Sequence, residues 1–418
     1  MQSNIKKNIE LLLNIIYSKK ISHNIGPTPN FSDEPNVFFY SALIKSPFKT
    51  LENNGMVETA GLSFASKELA LIKCLGESIE RYCFLNYKYH SRIYKSFDQI
   101  KECALDPATI KGSHSREKNM FWVEGFNLTK KTKCYIPSQL ILENSKGEFH
   151  LSQPDITTGA AGGFDHTSTL LRGIYEVIER DAFMTIFLNK INAPMINLKK
   201  LDNKYVAKIL KLVERYNLQL NVFDISNDLK IPVFLNILTD KTGIGPAIAC
   251  GLSSGLKVNE AIIGSITESF ITRVWIRKKL IEINYKIPDI KPEKINTFTQ
   301  RALYWSSINK FKELDFLLFQ KPFLVPKNTF SGSKEKELLS VIEMLGKKGH
   351  DVYYVDITHS KIKKSGYRVY KIIIPTLQPL YLNESEKKGC IREKRLKEVL
   401  SFFGKKKGYI NTTPHPFM

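Results

Sequence analysis

The motif Glu-x-x-Glu-Arg occurs twice in this chain, as Glu77-Ser78-Ile79-Glu80-Arg81 and as Glu176-Val177-Ile178-Glu179-Arg180. Glutamates three positions apart project from one face of a helix, and the residues between them (Ile79, Val177, Ile178) are types that pack inward. Carboxylates held together in an apolar setting repel one another unless a cation neutralises them. The arginine after each pair lies about 100° further round a helix, where it could meet an anion bridged by that cation. The chemistry suggested is magnesium with a polyphosphate. A third helix carries Glu268 and Arg273 in place of the full motif. Magnesium takes oxygen ligands, usually one or two carboxylates plus phosphates, so five glutamates on three helices could serve two ions or more. The arginines would offset phosphate charge. A single Glu-x-x-Glu-Arg is ordinarily a solvated, salt-bridged helix face. Two copies, each after a small-residue turn and inside an apolar stripe, shift that balance.

The turn Gly159-Ala160-Ala161-Gly162-Gly163 before the second motif places backbone amides at a positive helix end, which favours phosphate. A packing role for Gly162 and Gly163 is an equal reading. The standard nucleotide signatures are missing. There is no Gly-x-x-x-x-Gly-Lys-Ser/Thr, and Gly243-Ile244-Gly245 has Ile248 where a third glycine belongs. A nucleotide would have to bind through carboxylate-held metal.

The elements that must position these residues follow from apolar spacing. Leu69, Ile72, Leu75, Ile79 and Cys83 recur at helical intervals across Ser66 to Asn86, with Ser63 or Ser66 as cap. A hairpin is predicted from Phe121-Trp122-Val123 and Cys134-Tyr135-Ile136-Pro137. A run from His150 to Thr158 leads through the glycine turn to a helix from about Thr167 to Asn189. Strands are expected at Leu218–Phe223, Ile231–Leu238 and Ala247–Leu252, followed by a helix from Val258 to about Leu280. Three times, therefore, an extended segment with small residues leads into a long helix bearing Glu and Arg, a weak internal repeat. The last part reads as βαβ-like: helix Glu335–Lys347, strands Asp351–Ile357 and Tyr367–Pro375, helix Glu393–Phe403. Before about Pro47 the expectation is a basic amphipathic helix and a loop punctuated by Pro27, Pro29 and Pro35. Pro414-His415-Pro416-Phe417-Met418 should be extended.

At 418 residues, with 43% hydrophobic and 25% charged residues, the composition is that of a soluble globular protein of two or three domain-sized units. No apolar run approaches the roughly 18 residues of a membrane span, and no signal-peptide cleavage site follows Met1 to Lys7, so the expected location is the cytosol. The six cysteines have no Cys-x-x-Cys spacing and the eight histidines form no metal-binding pattern, which argues against zinc and disulfides. The net charge of +21 comes from dispersed lysines, so neither nucleic acid nor membrane is expected as a partner.

With these residues the chain resembles the YcaO superfamily of ATP-dependent enzymes that activate peptide-backbone amides. The resemblance is carried by Ala70–Tyr82, Thr157–Asp181, Gly251–Arg273 and Val369–Pro375, and covers roughly residues 55 to 380. It implies an α/β fold of pseudo-repeated subdomains with long helices on mixed β-sheets, with ATP and Mg2+ among the helices. It divides the chain into an N-terminal helix and loop (1–50), a catalytic domain (51–385) and a C-terminal helix with a proline-containing tail (386–418). It implies Glu77, Glu80, Glu176, Glu179 and Glu268 as metal ligands, with Arg81, Arg180 and Arg273 joining them in the cofactor site. Azoline-forming, D-protein-like members often end in Pro-x-Pro-x-Pro reaching into the active site. This chain has two of the three prolines and ends in methionine, which implies Pro416, the Met418 carboxylate as base, and Arg180 as catalytic residues. The chain departs from the family's usual pattern at Leu62-Ser63-Phe64, Thr157-Thr158-Gly159, Lys73 and Phe164.

The activity implied is ATP-dependent cyclodehydration of a ribosomal precursor peptide, making thiazoline or oxazoline rings from Cys, Ser or Thr, as in bacteriocin biosynthesis. The alternatives are thioamide formation, a non-catalytic peptide-binding scaffold with a decayed nucleotide site, and an unrelated α/β protein with salt-bridged helices. No leader-binding domain is evident before residue 50, so a leader-binding, ubiquitin-activating-like partner protein is expected. A flavin dehydrogenase in the same complex and a homodimer are further partners the resemblance admits.

Overall fold

The computed structural model describes residues 2–47, 55–88, 92–111, 113–141, 151, 157–327, 330–406, 408 and 410–418. The boundary expected at residue 50 and most of the run from His150 to Thr158 lie outside the described residues.

Helix α1 (Gln2–Ser18) is the expected amphipathic helix and buries Leu12, Ile15 and Ile16. The segment after it is not a loop. Strands β1 (Ser22–Pro27) and β2 (Phe38–Lys45) pair antiparallel, and β2 pairs with β3 (Met56–Ser63). The prolines that suggested a loop only bound these strands: Pro27 ends β1, and Pro29 and Pro35 fall in its connection to β2. Helix α2 (Lys67–Leu85) starts as expected, with Ser66 Oγ accepting the Leu69 amide at 3.3 Å, and it buries Leu75, Ile79 and Cys83.

Strands β4 (Ile93–Lys95), β5 (Met120–Asn127) and β6 (Thr132–Pro137) follow, the last two as the expected hairpin. The glycine-alanine segment is itself a strand, β7 (Ala160–Gly163), feeding helix α3 (His166–Leu188), whose cap is Asp165. After α4 (Lys204–Glu214) come β8 (Leu218–Asp224), β9 (Val233–Asp240) and β10 (Ile248–Ser254), an antiparallel sheet in the order β10-β9-β8, and then α5 (Val258–Glu282). Helices α6 (Phe298–Trp305) and α7 (Lys334–Lys347) precede β11 (Tyr353–Asp356), β12 (Arg368–Ile373) and α8 (Glu393–Phe402). The βαβ-like reading requires correction. β11 and β12 are antiparallel, because only the short turn of helix Ser360–Lys363 and Gly366 (φ 82°) separate them. Both join a sheet in the order β4-β5-β11-β12-β7, with β6 on β5.

The internal repeat is real and closes on itself. Each unit is a strand and the acidic helix that follows it: β3 with α2, β7 with α3, β10 with α5. Helix α2 also lies on β7, α3 on β10, and α5 back on β3. The chain is thus a mixed α/β protein with the three acidic helices arranged as a ring. The six cysteines are free, and five of them are buried. Among the described residues no helix is long and apolar enough to cross a membrane.

Candidate functional site

Each of the five glutamates accepts a strand amide, and the partners follow the repeat. The first glutamate of each helix takes an amide from its own unit: Glu77 from Ala60 (2.8 Å), Glu176 from Gly159 (2.8 Å) and Glu268 from Leu252 (2.5 Å). The second takes one from the next unit: Glu80 from Gly162 (3.1 Å) and Glu179 from Ser254 (2.7 Å). The third helix has Ile271 at that second position. The glycine-turn amides expected to face phosphate at Gly159 and Gly162 therefore serve carboxylates instead. Their role is to hold the carboxylates in place.

Four of these acids are poorly neutralised. Burial pushes the carboxyls of Glu80 and Glu179 up to about 8 and that of Glu268 up to about 7, and it raises Glu77 as well. Like charges add to the effect. Glu176 and Glu77 act on both Glu80 and Glu268, and Glu268 and Glu176 act on Glu179, so all five share one field. Arg81 and Arg180 oppose it. The second oxygens of Glu77 and Glu176 face Arg81 (3.7 Å) and Arg180 (3.5 Å), while those of Glu80, Glu179 and Glu268 receive no hydrogen bond from a described residue. Such a set fits divalent cations. Among the described residues no three Asp, Glu, His or Cys side chains stand close enough to hold a metal alone. Protein would supply one or two carboxylates per ion and phosphate oxygens the remainder.

Arg180 is only partly occupied by Glu176. Its Nε and Nη1 are buried without a partner among the described residues, and its guanidinium stacks over the Phe417 ring at 4.0 Å. Arg273 is not brought to this site. It is committed to Glu34 (2.7 Å), Asp240 (2.7 Å) and the Pro246 carbonyl (3.0 Å), a buried clasp between α5 and the segment before β2. Five positions beyond Glu268 on a helix, it points well away from that carboxylate.

The sequence reading missed Arg172 and Tyr367 as site residues and noted Lys73 and Phe164 only as departures. All four line a cavity of ≈ 540 Å³ together with Glu77 and Glu80. Lys73 Nζ donates to the Leu62 carbonyl at 3.1 Å, and burial lowers its pKa. Arg172 donates to the Gly162 carbonyl. A helical-face count from Glu176 and Glu179 back to Arg172 would have found this arginine, since positions i, i+4 and i+7 share a face.

The proline-containing tail is docked. Pro414, His415, Pro416 and Phe417 are buried. Arg301 Nη1 donates to the His415 carbonyl at 2.8 Å. His415 Nε2 donates to the Tyr381 carbonyl at 2.5 Å, which makes it the Nε2–H tautomer, and burial holds its pKa well below the usual value. The rings of His415 and Phe417 lie 5.8 and 5.7 Å from Phe183 on α3. Met418, half-buried, packs instead on the apolar cluster that includes Ile262 and Phe270 of α5. The terminus thus reaches from the second acidic helix to the third.

A sequence profile of the family described as YcaO cyclodehydratase, ATP- and Mg2+-binding, matches residues 64–378. An uncharacterized protein of Methanothermobacter thermautotrophicus is 21% identical over 351 residues, 80% of this chain and 85% of that protein. Among solved structures, a heterocyclase in complex with substrate and cofactor matches 99% of the chain with a TM-score of 0.80 and 18% identity. The chain spans 57% of that heterocyclase's length. The YcaO protein of Methanopyrus kandleri bound with AMPPCP and Mg2+ matches 93% of each chain with a TM-score of 0.67 and 14% identity.

Proposed function

Because the chain belongs to the YcaO cyclodehydratase family, whose cofactors are ATP and Mg2+, we propose that it is an ATP-dependent cyclodehydratase. Its substrate is a ribosomally made precursor peptide, in which Cys, Ser or Thr becomes an azoline. The observation that supports this reading is the ring of five carboxylates, each oriented by a strand amide, with Glu80, Glu179 and Glu268 keeping a second oxygen that no described residue bonds.

The substrate's side-chain thiol or hydroxyl attacks the carbonyl carbon of the preceding residue and closes the ring, its proton passing to the former amide oxygen. The former amide oxygen must then leave, and as hydroxide it is a poor leaving group. ATP, when bound, supplies the phosphoryl group that lets this oxygen depart as phosphate. Glu77, Glu80, Glu176, Glu179 and Glu268 would hold the magnesium ions, and Arg180 and Arg81 would meet phosphate oxygens. The docked tail excludes water from one side of this site. Pro416 and its neighbours fix the terminus, and the Met418 carboxylate takes the proton from the amide nitrogen as the C=N bond forms. A leader-binding partner delivers the peptide.

The test combines the chain with ATP, Mg2+, a candidate precursor peptide and a candidate partner protein, followed by mass spectrometry of the peptide. Loss of one water per modified residue is expected. Exchange of oxygen for sulfur would assign thioamide formation instead, and absence of ATP turnover with every partner would leave only a scaffold role.

A further inference from the structure

The family reading uses the carboxylate side of Arg180. Arg180 also lines a separate cavity of ≈ 60 Å³ between α3 and the segment 372–379 that ends and follows β12. Three cations line this cavity, Arg180, Lys371 and Arg392, and among the described residues no Asp or Glu does. Arg180 Nε and Nη1 and Arg392 Nε are buried without a hydrogen-bond partner among the described residues. Buried guanidinium N–H groups without acceptors are costly, so two such arginines lining one cavity mark a place where an acceptor belongs. The Lys371 ammonium is held there by the Thr158 carbonyl at 2.5 Å, and the Arg392 backbone by Gln378 Oε1 at 2.7 Å.

We propose that Arg180, Lys371 and Arg392 form an oxyanion subsite for inorganic phosphate, next to the carboxylate ring and distinct from it. A buried water needs about 10–15 Å³, so the cavity has room for a small tetrahedral anion and none for a nucleotide. Arg180 joins the two compartments, since its Nη2 lies 3.5 Å from Glu176 while the same residue lines the cavity. In this arrangement a phosphate leaving the carboxylate side passes to the other face of one guanidinium. That purpose rests on the proposed cyclodehydratase reaction, but the binding itself does not.

The experiment titrates sodium phosphate into the full-length, nucleotide-free chain by calorimetry, beside Arg392→Gln, Arg392→Lys and Glu179→Gln. Wild type should bind phosphate. Arg392→Gln, losing a charge-assisted hydrogen bond, should bind about tenfold more weakly or worse, and Arg392→Lys should fall between. Glu179→Gln should bind phosphate at least as well as wild type while losing affinity for Mg2+ with a non-hydrolysable ATP analogue. Equal phosphate affinity in wild type and both Arg392 variants, or no binding at millimolar phosphate, overturns the subsite. If Arg392→Gln does not fold, Arg392→Lys decides alone. Failure of wild type to bind the analogue while phosphate still binds counts against the nucleotide reading and leaves the subsite standing.

Discussion

At the scale of single residues, the glutamates were legible because burial of acid contradicts apolar helical spacing, and that contradiction is visible in a string of letters. Their partners were not legible. The strand amides lie 16 or 17 positions upstream, or in another unit altogether, as for Glu80 with Gly162 and Glu179 with Ser254. Arg273 was misplaced for a similar reason, since its partner Glu34 is remote in sequence. The raised carboxyls carry a stability prediction. Glu80 and Glu179 near 8 and Glu268 near 7, against an ordinary 4.5, mean that the folded chain holds more protons than the unfolded chain between those limits. Stability is then full below the ordinary value and is lost as pH rises through the folded values. The melting temperature of the nucleotide-free chain should fall between about pH 5 and 8, and Mg2+ with ATP should flatten the slope. A flat profile without ligand would contradict the unneutralised ring. Glu179→Gln keeps an acceptor for the Ser254 amide, so it should fold with stability near or above wild type while ATP turnover drops at least about 100-fold. Unimpaired turnover in a steady-state phosphate-release assay would remove Glu179 from the metal site.

At the scale of elements, helices and capping were read well because their signals are local: Ser66 caps α2, and the apolar stripe continues through Cys83. Strand roles were read less well. The segment Ala160–Gly163 looked like a phosphate turn because small residues serve turns and close packing alike. Here close packing is the reason, and it recurs across the ring. A Cβ on Gly61 would stand 2.1 Å from the Ala70 carbonyl oxygen and 2.5 Å from the Cys74 nitrogen, and one on Gly251 would stand 2.2 Å from the Ser265 oxygen and 2.3 Å from the Ser269 nitrogen. Both glycines sit beside the amide that orients a glutamate, Ala60 for Glu77 and Leu252 for Glu268. The strand must press against its helix for that hydrogen bond to form. Because the obstacle is backbone, neither Gly61→Ala nor Gly251→Ala can be relieved by a side-chain rotation. Each should cost about 2–3 kcal/mol in chemical denaturation and weaken Mg2+-nucleotide binding as well. A substitution that destabilises the chain with unchanged Mg2+-nucleotide affinity would separate packing from site geometry.

At the scale of the whole molecule, the tail shows what a sequence can suggest without placing. Two prolines predict an extended terminus, yet nothing local says where it lies. Its position is set by groups far away. Arg301 caps the His415 carbonyl, Phe183 meets both tail rings, and the buried pairing of Asp181 with Arg395 at 2.8 Å ties α3 to the helix from which the tail descends. Phe417 is fully buried and covers the Arg180 guanidinium, so one side chain contributes both to packing and to the posture of the arginine proposed to meet phosphate. The two contributions can be separated. Phe417→Ala removes both and should lower stability by about 3–5 kcal/mol. Phe417→Leu keeps most of the apolar volume but has no ring face, so it should cost less in stability than Phe417→Ala while still losing the stacking on Arg180. That stacking amounts to about 0.5–2 kcal/mol, which predicts a two- to thirtyfold loss of ATP-analogue affinity in Phe417→Leu at nearly unchanged melting temperature. Phe417→Trp, with a better ring face, should retain affinity if the pocket admits it. If Phe417→Leu binds the analogue like wild type, the tail contributes only packing, and the coupling between the terminus and Arg180 is absent.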